Sequence, residues 1–121
     1  HLEDSPDTAS FQHIHLVGSI LHYVEQNLSE KLFLQDIAEK YNYSVTYISK
    51  LFKNVTGSSL VSYIIEKRIA RARQLMYEDL EITEIAERVG YHNYSNFYKA
   101  FKKAVGISPE EYRRQLNTFG K

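Results

Sequence analysis

The chain has 121 residues, which is the length of one ordinary domain or of two very small lobes. It contains no cysteine and no apolar run near the roughly 18 residues of a membrane span, which excludes disulfides, thiolate metal sites and membrane insertion by this segment. The formal net charge is zero, but the charges lie in blocks, with acidic residues concentrated in 1–39 and 77–87 and basic residues in 40–76 and 88–107.

The N-terminal part of the chain combines an irregular segment with a long amphipathic pattern. Residues 1–9 are acidic, contain a proline and show no apolar period, so they are predicted to be a linker or arm. A helix is predicted from Phe11 to about Asn27, with Ser10 as its N-cap. Its apolar residues recur at spacings of three and four, namely Ile14, Val17, Leu21, Val24 and Leu28.

A helix–turn–helix pattern follows. A short helix is predicted near residues 34–41, and Asn42 is suited to the left-handed conformation that closes a helix. A second helix is predicted from Val45 to Thr56, with Ser44 as N-cap and Gly57 after its last turn. Residues 59–77 then show one apolar side and predict a helix of about 28 Å. That side is formed by Leu60, Ile64, Ile65, Ile69, Ala72, Leu75 and Met76.

The remaining residues repeat this pattern. A short helix is predicted near 82–89, followed by Gly90, and a longer helix from about Asn93 to Val105. Ser108-Pro109 begins a capping box that starts a last helix to about Leu116. At an offset of 48, Ile37, Ala38, Glu39 and Tyr43 recur as Ile85, Ala86, Glu87 and Tyr91. At an offset of 49, Lys50, Phe52, Lys53, Gly57, Ser59 and Tyr63 recur as Lys99, Phe101, Lys102, Gly106, Ser108 and Tyr112.

The predicted fold is therefore all-α, with about seven helices in two helix-turn-helix lobes joined by a long linker helix. The predicted boundaries are an arm at 1–9, a first lobe at 10–58, the linker helix at 59–78 and a second lobe at 79–121. Two copies, and not three or more, argue against a solenoid.

The second helix of each lobe has one apolar and one polar, basic face. Ile48, Leu51, Phe52 and Val55 are predicted inside in the first copy, and Phe97, Ala100, Phe101 and Ala104 in the second. Such a helix suits a DNA major groove, which is about 12 Å wide. The alternative to a DNA-binding surface is that each charge block is an ordinary solvent-exposed helix face. The duplication favours DNA, because a linker of about 28 Å could set two reading helices near one turn of B-DNA apart, about 34 Å.

The pattern of these residues is similar to that of a known protein family. It strongly resembles the AraC/XylS family of bacterial transcription activators over roughly residues 11–116. The matching motifs are Leu34-x-x-Ile37-Ala38, Tyr43-Ser44, Tyr47 to Lys53, Thr56-Gly57, Arg68-Ile69, Ala72, Ile85-Ala86-x-x-Val89-Gly90-Tyr91, Phe97, Phe101-Lys102-Lys103, Gly106 and Ser108-Pro109-x-x-Tyr112-Arg113. The resemblance implies a DNA-binding unit of seven helices that reads an asymmetric site and usually recruits RNA polymerase. Asn93-Tyr94 departs from the family's commoner Asp-Pro at the start of the second reading helix.

The predicted contacts form two sets, of which the resemblance, carried over position by position, implies the base-reading one. The base-reading set is Val45, Thr46, Ser49 and Lys50 in the first copy and Tyr94, Ser95, Asn96 and Lys99 in the second. The phosphate set is Ser44, Tyr47 and Lys53 in the first copy and Asn93, Tyr98, Lys102 and Lys103 in the second. Lysines late on each helix are better placed for phosphate, which positions a protein without reading sequence.

The other functional classes are weaker. His15 and His22 lie two helical turns apart, about 10.5 Å, which is too far to share a metal ion, so no metal is expected. Neither a cofactor nor a catalytic residue is expected, because no nucleophile elbow, phosphate loop or carboxylate pair appears. The surviving alternative is a helical protein-interaction module whose basic faces dock an acidic partner. A cytoplasmic setting, an upstream sensor or receiver domain and no membrane contact complete the expectation.

Overall fold

The fold of the chain is all-α, as predicted. A computed structural model describes residues 10–119, and within that range the chain forms seven helices and no strand. The helices are α1 (Phe11–Gln26), α2 (Leu34–Lys40), α3 (Val45–Thr56), α4 (Leu60–Leu75), α5 (Ile82–Arg88), α6 (Tyr94–Val105) and α7 (Pro109–Phe119). Each predicted helix is present with small differences at its ends, and the predicted arm at 1–9 lies outside the described residues.

The described part of the chain divides into two compact units between residues 64 and 65, and the division lies within α4. The start of α4 therefore belongs to the first unit and the remainder to the second. The predicted division into two lobes and a separate linker helix treats α4 as a spacer, whereas its side chains contribute to each of the two cores described next.

Each unit has its own apolar core, assembled from four helices. In the first, α1, α2, α3 and the start of α4 contribute the buried residues Val17, Ile20, Val24, Ile37, Ala38, Ile48, Leu51, Phe52, Leu60 and Ile64. In the second, α4, α5 and α6 contribute Ile69, Ala72, Met76, Ile85, Ala86, Val89, Phe97 and Phe101, with Tyr112 and Leu116 of α7 packed against them. Burial of these side chains away from water is the main term that stabilises each unit.

The sequence repeat is also a structural repeat. Phe52 packs edge-on against Tyr63 with ring centroids 5.7 Å apart, and their counterparts Phe101 and Tyr112 do the same at 5.5 Å. The backbone turns match as well, because the N–H of Tyr43 donates to the Ala38 carbonyl at 2.9 Å and that of Tyr91 to the Ala86 carbonyl at 2.9 Å. The repeated identities therefore preserve equivalent packing contacts in the two units.

Four residues in the left-handed backbone region end the helices of the two repeats. Asn42 has φ 64° after α2 and Gly90 has φ 101° after α5, which confirms the turn predicted at both positions. Gly57 and Gly106 cap α3 and α6 at φ 87° and 99°, and each donates its N–H to the carbonyl four residues earlier. A β-branched residue would be strained at any of these positions.

Some predicted core positions are wrong. Ile14 is 55% exposed on α1, because the buried stripe runs through Ile20 and His13 instead. The two stripes share other residues, and a period of 3.6 cannot choose between them when neighbouring positions are both apolar. Ile65 is 36% exposed, because α4 buries Ile64 in the first core and Ile69 in the second and leaves Ile65 outside both. Ala104 is exposed in the last turn of α6, beyond the part of the stripe that is covered.

Candidate nucleic-acid interface

The predicted reading helix of the first unit is α3, and both its ends are capped as predicted. The Ser44 hydroxyl accepts a hydrogen bond from the Tyr47 N–H at 3.0 Å, which satisfies one of the free donors of the first turn. Ile48, Leu51 and Phe52 bury one side of the helix against the core. The opposite side is therefore fixed toward solvent by the packing of α3 against α1 and α2.

The predicted contact residues of α3 lie on that solvent side to different degrees. Thr46 and Lys50 are exposed, and so is Lys53 in the last turn. Val45 and Ser49 are half-buried. The exposed set contains two lysines and one small hydroxyl side chain, so the face is cationic and can approach a surface closely.

Tyr47 is held in place by an aromatic cluster that the sequence did not predict. Its ring stacks on Tyr43 with centroids 4.7 Å apart and 13° between the planes. Its hydroxyl lies 3.1 Å from Nε2 of His13, a residue of α1 that is only 4% exposed. His13 lies four residues before the buried Val17 on α1, so the helical period places both on the same face. The structure thus adds His13 as a residue that orients the reading helix.

The predicted reading helix of the second unit is α6. Asn93 supplies its N-cap, with the side-chain oxygen accepting from the Asn96 N–H at 3.1 Å. Asparagine is among the best N-cap residues, which explains how the helix begins despite the departure from Asp-Pro. Ser95, Asn96 and Lys99 are exposed on the face opposite the core. In the last turn, Lys102 and Lys103 are exposed as well.

Tyr94 differs from the other predicted base-reading residues of α6, because it is half-buried and hydrogen-bonded. Its ring packs against Phe97 with centroids 5.9 Å apart, and its hydroxyl donates to the carboxylate of Glu110 at the start of α7. Burial, and then the hydrogen bond to Glu110, raise the pKa of the Tyr94 phenol. The phenol therefore keeps its proton at neutral pH.

The two caps also establish which residues of the reading helices are equivalent. Since Ser44 and Asn93 both occupy the N-cap, Tyr47 corresponds to Asn96 and Ser49 to Tyr98. The predicted sets assign Asn96 and Ser49 to bases and their counterparts to phosphates. The two faces thus share their lysines but present different side chains between them.

Within residues 10–119, no group of three His, Asp or Glu side chains is placed to hold a metal ion. His15 and His22 instead line an open cleft between α1 and α2 together with Lys40. The Lys40 ammonium lies 5.2 Å from the ring centroid of Tyr23 and 5.8 Å from that of Tyr41. The positive charge of Lys40 therefore disfavours the binding of a metal cation by the histidines of this cleft. In the same described range, no helix is long and apolar enough to cross a membrane.

Comparison with known proteins gives a consistent result. Residues 37–115 match the helix-turn-helix domain family. The chain is 39% identical over 102 residues to the HTH-type transcriptional regulator YdiP of Escherichia coli (strain K12), covering 84% of this chain but 34% of that protein. It is 33% identical over 99 residues to the HTH-type transcriptional activator AarP of Providencia stuartii, covering 81% of this chain and 73% of AarP.

A solved structure has the same fold. The C-terminal domain of AraT, a response regulator from Geobacillus stearothermophilus, superposes with a TM-score of 0.80 at 38% identity, covering 83% of this chain and 84% of that one. The chain spans well under two thirds of the length of YdiP, so the comparison with YdiP concerns this segment alone.

Proposed function

Since the chain belongs to the AraC/XylS family of helix-turn-helix transcription regulators, which are not enzymes, we propose that it binds double-stranded DNA sequence-specifically. The observation that carries this proposal is the duplicated reading helix. Both α3 and α6 are capped at each end, buried along one side and lysine-bearing along the other. If these faces were ordinary solvent-exposed surfaces, nothing would require the same arrangement to occur twice.

We assign the contacts of each helix by their place along it. The first turns carry side chains short enough to reach base edges, and Lys50 and Lys99, one turn later, reach guanine acceptors or a nearby phosphate. Lysines of the last turns, Lys53 and Lys102, contact phosphate and contribute affinity without sequence preference. The N-cap residues Ser44 and Asn93 lie where phosphate contacts are common, close to the free N–H groups of a helix start.

We further propose that α3 and α6 enter two successive major grooves, one helical turn of B-DNA apart. A single chain would then read an asymmetric site, because the two helices differ at Tyr47 and Asn96 and at Ser49 and Tyr98. The lysines that the helices share would supply equal backbone anchoring in both grooves.

The regulatory setting is part of the same proposal. AarP is described as a transcriptional activator, and AraT as a response regulator. By analogy, this segment activates transcription by recruiting RNA polymerase, and a sensor or receiver domain elsewhere in the protein controls it in the cytoplasm.

The test compares three single substitutions. A binding site is first selected from random duplexes, and its affinity is then measured for Lys50→Ala, Lys99→Ala and the control Lys31→Ala. Lys31 is exposed but lies between α1 and α2, off both reading helices. A lysine that reads a base should cost roughly 1 to 3 kcal/mol of specific binding, whereas Lys31→Ala should cost little. Unchanged affinity for both reading-helix variants, with the fold retained, would rule out the assigned face.

The salt dependence of duplex binding distinguishes a DNA-binding domain from the alternative, a module that docks an acidic protein. A DNA-binding domain retains random duplexes at low salt and releases them as salt rises, because cations condensed on DNA are displaced on binding. Absence of any retained duplex at low salt would favour the acidic protein partner.

A further inference from the structure

A carboxylate from outside the second reading helix lies at the start of that helix. Tyr94 is the first residue of α6, and Glu110, which accepts a hydrogen bond from the Tyr94 hydroxyl, is the second residue of α7. Glu110 is exposed, and the Tyr94 ring is fixed by its contact with Phe97. The first residues of a reading helix are the ones that meet base edges. Glu110 is therefore in contact with one proposed base-reading residue, Tyr94, although it belongs to another helix.

The hydrogen bond restricts what this pair can offer a base. A phenol has one proton to donate, and Tyr94 donates it to Glu110, so the phenol oxygen can only accept another hydrogen bond. An ionised carboxylate is itself an acceptor only. Together the two side chains present acceptors and one negative charge at the start of α6.

Base edges in the major groove differ in how they match such a pair. Guanine presents only acceptors there, and thymine presents an acceptor and a methyl group. Adenine presents an amino donor with its own N7 acceptor beside it, whereas cytosine presents its N4 amino donor with a C–H beside it on its own ring, the O6 acceptor of the pair belonging to guanine. A carboxylate placed against one strand thus accepts from cytosine at that position and is repelled when guanine occupies it instead.

We propose that Tyr94 and Glu110 form a specificity determinant that selects a cytosine amino group in the groove read by α6. This inference rests on the proposed DNA-binding function. The negative charge of Glu110 reduces the attraction of the Lys99 and Lys102 face for phosphate. The pair therefore lowers the nonspecific affinity for DNA while it adds a preference for one base. Tyr94 holds the carboxylate at the base edge, and Glu110 supplies the acceptor.

The experiment uses Glu110→Gln with Glu111→Gln as its matched control. Glu111 is the next residue on α7 and loses the same charge, but its carboxylate bonds to Arg114 and Gln115 of its own helix. Duplexes selected from a random pool by the wild-type chain and by Glu111→Gln should share one cytosine. With Glu110→Gln, preference for that cytosine should fall about tenfold and adenine should become acceptable, because an amide pairs well with adenine. An unchanged cytosine preference in Glu110→Gln would overturn the inference.

A second measurement uses only the wild-type chain and does not depend on how the variant folds. The selected cytosine is replaced by N4-methylcytosine, which keeps the base pair but replaces the groove-facing hydrogen. Binding should weaken about tenfold, as expected for a lost base contact, while the same modification at a flanking cytosine should have no effect. Equal binding of the modified and unmodified sites would also overturn the inference.

These outcomes separate the inference from the function on which it rests. A wild-type chain that binds no duplex would remove the proposed function itself. A wild-type chain that binds a specific site, with Glu110→Gln less stable to heat but unchanged in base preference, would leave the function in place. In that case the contact between Tyr94 and Glu110 would be structural only, and the specificity proposal would be wrong.

Discussion

At the scale of single residues, the hydroxyl groups of the tyrosines in this chain have three different surroundings. Tyr41 donates its hydroxyl to the Ser19 carbonyl at 3.2 Å and ties α2 to α1. The hydroxyl of Tyr47 lies against His13, and that of Tyr94 is hydrogen-bonded to Glu110. Tyr91 is unlike these, because its hydroxyl oxygen is buried without a hydrogen-bond partner among the described residues.

The Tyr91 hydroxyl is therefore predicted to contribute nothing to stability. Tyr91→Phe keeps the ring contact with Phe97 at 5.7 Å and the Arg68 guanidinium 5.5 Å above the ring. Removing a buried, unpaired hydroxyl should leave the free energy of unfolding unchanged or raise it by up to about 1 kcal/mol. Urea unfolding followed by circular dichroism measures this.

The matched control for Tyr91→Phe is Tyr41→Phe. It removes a made hydrogen bond and should lower the free energy of unfolding by about 0.5 to 1.5 kcal/mol. A loss of that size in Tyr91→Phe would mean that its hydroxyl does have a partner, such as a buried water.

At the scale of elements, α3 and α6 share the same pattern of caps and charges. A polar N-cap, a glycine in the left-handed region and a lysine in the last turn recur in both helices. Cations near a helix C-terminus interact favourably with its dipole, by about 0.3 to 1 kcal/mol each. Stability alone could therefore explain Lys53, Lys102 and Lys103, and a binding measurement has to distinguish the two roles.

The three last-turn lysines are predicted to act through phosphate. Replacing Lys53, Lys102 and Lys103 by alanine together should reduce the slope of log K against log salt by up to about 0.9 per lost contact, or roughly 2 to 3 units. The sequence preference should persist, because phosphate contacts carry no base information. Titrations of a selected duplex and of scrambled DNA at several salt concentrations provide the measurement.

The stability of this triple variant is measured alongside its binding. If the salt slope stays constant while the base preference changes, these lysines read bases and the assignment is reversed. If the slope and the preference both stay constant and only stability falls, the lysines serve the helix dipole.

At the scale of the whole molecule, α4 is the element that contributes to both cores among the helices of residues 10–119. Leu60 and Ile64 belong to the first core, and Ile69, Ala72 and Met76 to the second. The helix is continuous across the division between the two units at residues 64 and 65. Ala70 lies in its interior and is exposed, so a substitution there changes the backbone without removing a core side chain.

Ala70→Pro is predicted to uncouple the two reading helices. Proline removes one backbone hydrogen bond and kinks a helix, at a cost of about 3 kcal/mol or more. Footprinting should show protection falling from two adjacent major-groove segments to one, with a loss of affinity larger than any single base contact explains. Ala70→Gly, which keeps the N–H and costs about 1 kcal/mol, is the control.

Circular dichroism must first establish that the Ala70→Pro chain keeps its helices. A folded variant that protects both segments at unchanged affinity would mean that the two units bind as independent modules on a slack connection. The bipartite mode of binding would then be wrong.

The sequence by itself determined the elements of this protein, because the signals for them are local. Caps, left-handed closing residues and apolar periods act within a few residues of each other, so Ser44, Asn42 and Gly57 could be assigned without any tertiary contact. The repeat of the sequence then predicted two similar units. The lysine-bearing faces followed from helical phase alone, since a buried stripe fixes the side that remains in solvent.

Only the tertiary structure decided which of two neighbouring stripes on α1 is buried, and what holds the polar tips of the tyrosines. His13 lies 34 residues from Tyr47 in sequence, and Glu110 lies 16 residues from Tyr94. No local pattern encodes such pairs, because they depend on how separate helices cross. The same limit applies to Ala104, which has the phase of a core residue but is exposed, since burial requires a neighbour as well as a period.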